Sequence, residues 1–461
     1  MSVVEESGIG GSDTSLQAGA IGLTESVVMG VAGTAPAFSL AATTATLVAS
    51  VGMLSAGSLL YCGLIMFGVT FAFMHLNRVI TNAGASYAWV GGVFGPVFGF
   101  FAGWALLVAS TVFMVSGSLP AATATLILIA PERAGDPATV SFVAAGWLIA
   151  VSMVIVKGIK PTSYTQIVMT AIEVGVLVVV IVASILKYGS HPTHAFSWAL
   201  FSPAAFTPTT FATGALTALF FFWGWDVTLN LNEETRDAAH APGRGAVVAM
   251  IIVLLLFIGF VVACQLVLTD EQIDQSGTNI VFALADRLLP RPWSYAAVIA
   301  AMLSTVGTLE TSILQFTRTM YAKGRDGALH PRYAILHKSW KTPWVATAVI
   351  TLIGLALLLA SSTYPTLQEL IKDSVGAIGF QVAFYYSLSG YACAWHFRRD
   401  AFKSFEQALF LFLWPVISAS FLVFVALYSI PTFDRVTLLF GIGGIVIGVV
   451  PWALNRRRAN R

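Results

Sequence analysis

The sequence predicts an all-α membrane protein with twelve transmembrane helices. Three observations predict it. Of 461 residues, 57% are hydrophobic and only 10% are charged, against about 25% charged in soluble domains. Twelve separate stretches are apolar over roughly the 20 residues that a helix needs to cross hydrocarbon. Lysine and arginine are unevenly shared between alternate connecting segments, as expected when an even number of spans leaves both termini cytoplasmic.

In order, the expected spans are Leu23–Ser50, Ser58–Leu76, Ala102–Ile129, Val140–Val156, Thr165–Leu186 and Thr213–Leu231, then Ala246–Leu268, Tyr295–Met320, Val345–Leu359, Val375–Phe397, Ala408–Leu427 and Val436–Leu454. The fourth and ninth are short. Of 24 basic residues, only Arg133, Lys187, Arg287, Arg291, Lys372 and Arg435 fall in the outer connections. The other 18 lie inside, including the run from Arg318 to Lys341.

The domain plan follows. Residues 1–21 form a polar, acidic, Gly/Ser-rich cytoplasmic tail without the basic start of a signal peptide. Residues 22–397 form a ten-helix core, with a first repeat at 22–188 and a second at 211–397. Residues 407–454 carry helices 11 and 12, and 455–461 are a basic cytoplasmic tail. A net charge of +2 argues against nucleic acid as a partner. The bilayer and a small molecule are the expected partners, and the oligomeric state is left open. Cys62, Cys264 and Cys393 sit in apolar stretches without pairing or metal spacing, so they read as packed thiols.

Two spans carry signs of breakage. In MGVAGTAPAF, Met29 to Phe38, Gly30, Gly33 and Pro36 weaken the helix within two turns. In FFFWGWDVTLNLNEET, Phe220 to Thr235, Gly224 stands beside an acid. Unpaired backbone at membrane depth is tolerated only where it lines a cavity. The breaks lie five spans apart, which matches an inverted repeat of spans one to five against six to ten, with a site at the midplane. Half-helix N-termini offer N–H groups to a carboxylate, and half-helix C-termini offer carbonyls to an ammonium. The expected substrate contacts are Ala32, Gly33, Thr34 and Ala35 with Trp223, Gly224, Trp225 and Asp226.

Three segments resemble the amino acid–polyamine–organocation family. They are NAGASYAWVGGVFGPVFGFFAGW (Asn82 to Trp104), FWGWDVTLNLNEETRD (Phe222 to Asp237) and LETSILQFTRTMYAKGRDGALHPRY (Leu309 to Tyr333). The resemblance covers effectively the whole chain. It implies the LeuT-type fold with discontinuous helices 1 and 6, alternating access, and amino acids or amines as substrates. The chain departs from the pattern at Gly33-Thr34-Ala35-Pro36, where Gly, small residue, Gly is usual. It departs again at Asp237-Ala238, and at Glu173, where many bacterial relatives place a lysine.

Ionisable residues at membrane depth need a reason to be there. Glu173 shares a polar stripe with Gln166 and Thr170 at helical spacing, and a proton-coupling role is the functional reading. Asp226 either binds a substrate ammonium or caps the half-helix that starts there. Trp223 and Trp225 flank it. Glu310, Ser304, Thr308 and Tyr385 are gating or ion candidates, Tyr385 standing beside Tyr386. Glu233 and Glu234 are candidate gate partners for Arg78, Arg236 or Arg318. No Walker A, HExxH, GxSxG or CxxC pattern occurs, so neither an ATP-driven pump nor an enzyme is expected. No cofactor is expected beyond a proton gradient, with sodium as the alternative ion. The expected function is a plasma-membrane carrier, by proton symport or by exchange. A transport-dead sensor is the remaining alternative.

Overall fold

The computed structural model describes residues 15–361 and 367–459. The expected tail residues 1–14 and the final residues 460 and 461 lie outside that range, as do residues 362–366 before the expected tenth span. Among the described residues the secondary structure is helical, apart from a single isolated bridge between Ile21 and Thr235.

The first expected span is two helices, α1 (Leu23–Gly33) and α2 (Pro36–Val51). Pro36 has no N–H to return to Ala32, and Ala35 adopts left-handed φ 46°. After α3 (Ser55–Val79) comes the short α4 (Ser86–Phe94), then α5 (Pro96–Ile129), α6 (Pro137–Val156) and α7 (Ile159–Tyr188). The sixth expected span is split. α8 (Pro208–Ala218) tightens into a 3₁₀ turn, passes Gly224 at φ +103°, and resumes as the single turn α9 (Val227–Asn230).

α10 (Ala241–Val267) leads into two short helices, α11 (Asp270–Ser276) and α12 (Ile280–Leu288). α13 (Ala296–Arg325) runs five residues beyond the expected end at Met320. α14 (Trp344–Ser361) and α15 (Leu367–Phe397) follow. The C-terminal part comprises α16 (Phe405–Gln407), a π-helical turn and α17 (Trp414–Ser429). It ends with α18 (Arg435–Leu438), a second π turn, α19 (Gly444–Val446) and α20 (Val449–Ala459). Residues 455–459 of the expected basic tail are therefore helical.

Among the described residues, nine helical stretches are long and apolar enough to cross a membrane. The short fourth and ninth expected spans are among them, as Pro137–Val156 and Trp344–Ser361. Three departures separate nine from the twelve expected. Leu23–Val79 runs as one stretch. The sixth expected span is too interrupted to qualify. In α15, Gln381, Ser387, Ser389, Tyr385, Tyr386 and Tyr391 dilute the apolar run.

The outside of the bundle is apolar. Phe142, Leu186, Leu255, Leu352 and Leu359 are all more than 60% exposed. A soluble surface does not carry so many large apolar side chains at that exposure, whereas lipid accepts them without cost. The interior is mixed. α13 packs on α5 and α7 and buries Glu310, Arg318 and Lys323. All three cysteines are buried and free.

Candidate functional site

The two breaks touch. A Cβ placed on Gly33 would lie 2.1 Å from the Gly224 carbonyl oxygen, and one on Gly224 would lie 2.0 Å from the Gly33 oxygen. Only glycine at both positions permits this backbone-to-backbone approach. The expected contact residues Ala32 to Ala35 and Trp223 to Asp226 are thereby brought together, and all are buried.

The polar groups freed by the first break are already occupied. Ala32 O, which Pro36 cannot reach, accepts from Thr308 Oγ1 at 2.6 Å. Thr34 Oγ1 donates to Val31 O at 2.7 Å, and Ser39 Oγ donates to Thr34 O at 2.7 Å. At the start of α2, Ala37 N–H donates to Glu173 Oε1 at 2.8 Å and Phe38 N–H donates to Ser304 Oγ at 3.2 Å. Ser39 N–H bonds back to Ala35 O. The N–H groups expected to face a substrate carboxylate thus face the protein's own carboxyl and hydroxyl. No local spacing links residue 37 to residue 173, so the arrangement could not be read from sequence.

Asp226 stands at the N-cap position of α9, yet its side chain caps nothing. The backbone N–H groups that open α9 bond to Gly224 O and Trp225 O instead. The carboxylate turns to α15, where Tyr385 donates to Oδ2 at 3.0 Å and Tyr386 donates to Oδ1 at 2.9 Å. Trp223 Nε1 donates to the Tyr385 hydroxyl at 3.1 Å, which extends the chain of bonds. Phe113 meets Trp223 edge-on, and Phe73 and Tyr386 contact Trp225. The Trp225 indole N–H is buried without a partner.

Glu310 lies on the α7 side of α13. Gln166 is oriented with its amide nitrogen toward Glu310, because the reverse orientation would face its oxygen only to acceptors. It then donates to Glu310 Oε2 at 2.6 Å and to Gly307 O at 3.3 Å, and accepts from Thr170 Oγ1 at 3.2 Å. Glu310 Oε1 is buried and unbonded. The polar stripe on α7 is therefore divided. Gln166 and Thr170 serve Glu310, and Glu173 serves α2.

One end of the site is stitched shut. Ile21 N–H donates to Glu234 O and Arg236 N–H donates to Ile21 O, tying the approach to α1 to the exit from α9. Arg318 makes a bidentate pair with Glu234, both bonds 2.9 Å, with the two side chains at 0% and 1% exposure. Glu233 pairs with Arg325 at 2.8 and 2.9 Å and accepts from Ala83 N–H. Asn232 reaches Asn77 at 2.7 Å. Of the gate partners expected for the two glutamates, Arg318 takes part and Arg78 and Arg236 do not; Arg325 was not foreseen. On the α2 side of the break lies a cleft lined by residues that include Phe38, Ala41, Pro120, Phe282 and Thr305.

Lys323 also escaped sequence reading, where it was one member of a basic run. It is fully buried, donates to Phe100 O at 2.9 Å, and lies 3.9 Å from the centre of the Phe100 ring. Tyr87 and Trp104 complete the aromatic enclosure. Among the described residues the Lys323 amine thus has a carbonyl and ring faces around it and no carboxylate partner.

Broken helices meeting in a buried polar site, inside a bundle with an apolar exterior, define the class as a multi-pass helical membrane transporter. The chain belongs to the amino acid permease family, which it matches over residues 19–453. It is 21% identical over 402 residues to the b(0,+)-type amino acid transporter 1 of Mus musculus, covering 84% of this chain and 78% of that protein. It is 22% identical over 401 residues to the serine/threonine exchanger SteT of Bacillus subtilis, covering 85% and 86%. The low-affinity putrescine importer PlaP of Escherichia coli K12 is 24% identical over 290 residues, 62% of each chain. These relatives are transporters, and the chain is a transporter rather than an enzyme.

Proposed function

We propose that the protein is a secondary carrier of amino acids or related amines in the plasma membrane, working by alternating access and driven by proton symport. The observation that carries this reading is the meeting of the two broken segments at Gly33 and Gly224, with Asp226 beside one break and Glu173 bonded into the other. In this reading the chain crosses the membrane twelve times with both termini cytoplasmic. The first five spans and the next five form the LeuT-type inverted repeat, and residues 407–454 supply the last two spans. Substrate sits between Ala32–Ala35 and Trp223–Asp226. Tyr385 acts as part of the gate, and Ser304, Thr308 and Glu310 line the adjoining ion region.

Glu173 is the coupling carboxyl. Its bond to Ala37 N–H fixes α2 against α7, so a change in its protonation alters the contact that holds the first break. Glu173→Gln keeps the shape and removes the titration. In proteoliposomes, wild-type uptake of a labelled amino acid or amine is expected to rise several-fold under an inward proton gradient, and the Glu173→Gln protein is expected to show no such rise. Uptake that stays gradient-driven in the variant removes Glu173 from coupling. Uptake only against internal counter-substrate favours exchange, the activity named for SteT. Ligand binding without flux favours a sensor.

A further inference from the structure

We infer that Glu310 is a second exchangeable proton site, separate from Glu173, and that the Gln166 amide turns over as the proton binds and leaves. The inference rests on the proton-driven carrier proposed above and adds a second proton to its cycle.

Glu310 is 2% exposed. Its Oε2 meets Gln166, and its Oε1 meets no hydrogen-bond partner among the described residues. A carboxylate taken out of water needs a counter-ion or several donors, and here the one donor is an amide. The elements packed on α13 bring no cation to it. α2, α5, α6, α9 and α14 carry no charged residue. On α7, Lys160 and Lys187 are exposed near its ends, and Glu173 is bonded to Ala37. On α13 itself, Arg318 faces Glu234, Arg325 faces Glu233 and Lys323 faces aromatic rings. Glu25 of α1 bonds to Gly22 N–H, Asp286 of α12 pairs with Arg291, and Arg287 and Arg332 are exposed. A proton is the ligand that this deficit admits. It neutralises the carboxyl and needs no further oxygen ligands.

The contact with Gln166 accommodates both forms. Glu310 Oε2 and the end of the Gln166 amide are 2.6 Å apart. With the carboxyl ionised, the amide nitrogen faces it and donates, as described above. With the carboxyl protonated, Glu310 is itself a donor. The amide then turns its oxygen to accept that O–H, and its nitrogen donates to Thr170 Oγ1 at 3.2 Å. A separation of 2.6 Å lies inside the O–H···O range and just below the N–H···O range. Thr170 serves either orientation, because a hydroxyl both donates and accepts. Gly307 leaves room for the turning amide, since a Cβ there would come within 2.5 Å of Gln166.

Along α13, Glu310 lies between Ser304, which bonds to the first break, and Arg318, which ties the closed end. When that end opens, the carboxyl O–H breaks, water on that side takes the proton, and the carboxylate is left for the next cycle.

Infrared difference spectra of the full-length protein in detergent, taken from acid to alkaline pH, read the carbonyl band of a protonated carboxyl. The wild type is expected to lose such a band as pH rises. Glu173→Gln is expected to keep that component, and Glu310→Gln to lack it. Gln166→Leu removes the donor to the ionised form. A bond to a charged acceptor is about twice as strong as a neutral one, so the band is expected to persist to higher pH by about one unit. In proteoliposomes, with labelled serine or labelled putrescine as probe, flux reversal against opposed proton gradients counts protons per substrate. Glu310→Gln is expected to carry one proton fewer than the wild type. A titrating band that survives Glu310→Gln unchanged overturns the inference, as does a Glu310 band indifferent to pH, or an unchanged proton count. Should Glu310→Gln fail to fold, Glu310→Asp is expected to displace the band, and an undisplaced band is the same refutation. The carrier reading is scored apart: wild-type uptake indifferent to the gradient removes symport, and the spectra then decide the proton site alone.

Discussion

Arg318→Met is expected to cost about 3–5 kcal/mol of stability, because it leaves Glu234 buried and unpaired. The pair is bidentate at 2.9 Å with neither side chain above 1% exposure, so solvent cannot replace the lost partner. Thermal unfolding of the detergent-solubilised protein checks this. The double variant Arg318→Met, Glu234→Leu removes both charges, and it is expected to recover most of the loss, since replacing a buried pair with apolar groups is often neutral. A single variant as stable as the parent would show that water reaches this end of the site.

Gly224→Ala is expected to bring transport to background. Its Cβ would sit 2.0 Å from Gly33 O and 2.6 Å from Gly33 C, both backbone atoms that no rotamer change can move aside. The position also has φ +103°, where an L side chain is strained by about 1–3 kcal/mol. Gly95→Ala is the control. It has φ +95° with nothing within 4 Å of the added Cβ, so it carries strain without the clash. Uptake normalised to folded protein, judged by gel filtration, is expected to fall at least 100-fold for Gly224→Ala and only modestly for Gly95→Ala. Similar losses in the two would assign the effect to backbone strain rather than to contact between the breaks.

Features imposed by the solvent were readable in the sequence. Lipid demands long apolar runs, so Pro137–Val156 and Trp344–Ser361 were visible despite their length. Glycine and proline mark broken helix wherever they cluster, so both breaks were visible too. Partnerships across the bundle were not. Glu173 and Ala37 are 136 positions apart, and Asp226 and Tyr386 are 160 apart. Helical periodicity reports which residues share a face, not which face meets which neighbour. Of the two roles open to Asp226, the cap is not made: α9 is one turn long and its opening N–H groups find backbone carbonyls. α11 and α12 escaped because helices of seven and nine residues fall below spanning length. Lys323 falls in the extra turn of α13, and its neighbours Tyr87, Phe100 and Trp104 come from distant segments, so its burial had no local signal.

The ties around Ile21, Glu234 and Arg318 make the two entrances unequal. In the carrier proposed above, every opening at that end releases a backbone bridge and ion pairs together, which favours the empty protein shut there. A ligand arriving from that side binds only the rare open copies, and its apparent dissociation constant rises by the inverse of their fraction. An opening cost of about 2.7 kcal/mol leaves roughly 1% of molecules receptive and weakens apparent affinity about a hundredfold. The protein should therefore rectify, loading readily from one face and reluctantly from the other. Half-saturation measured in right-side-out and inside-out vesicles would differ accordingly, without any difference in the contacts that hold the ligand.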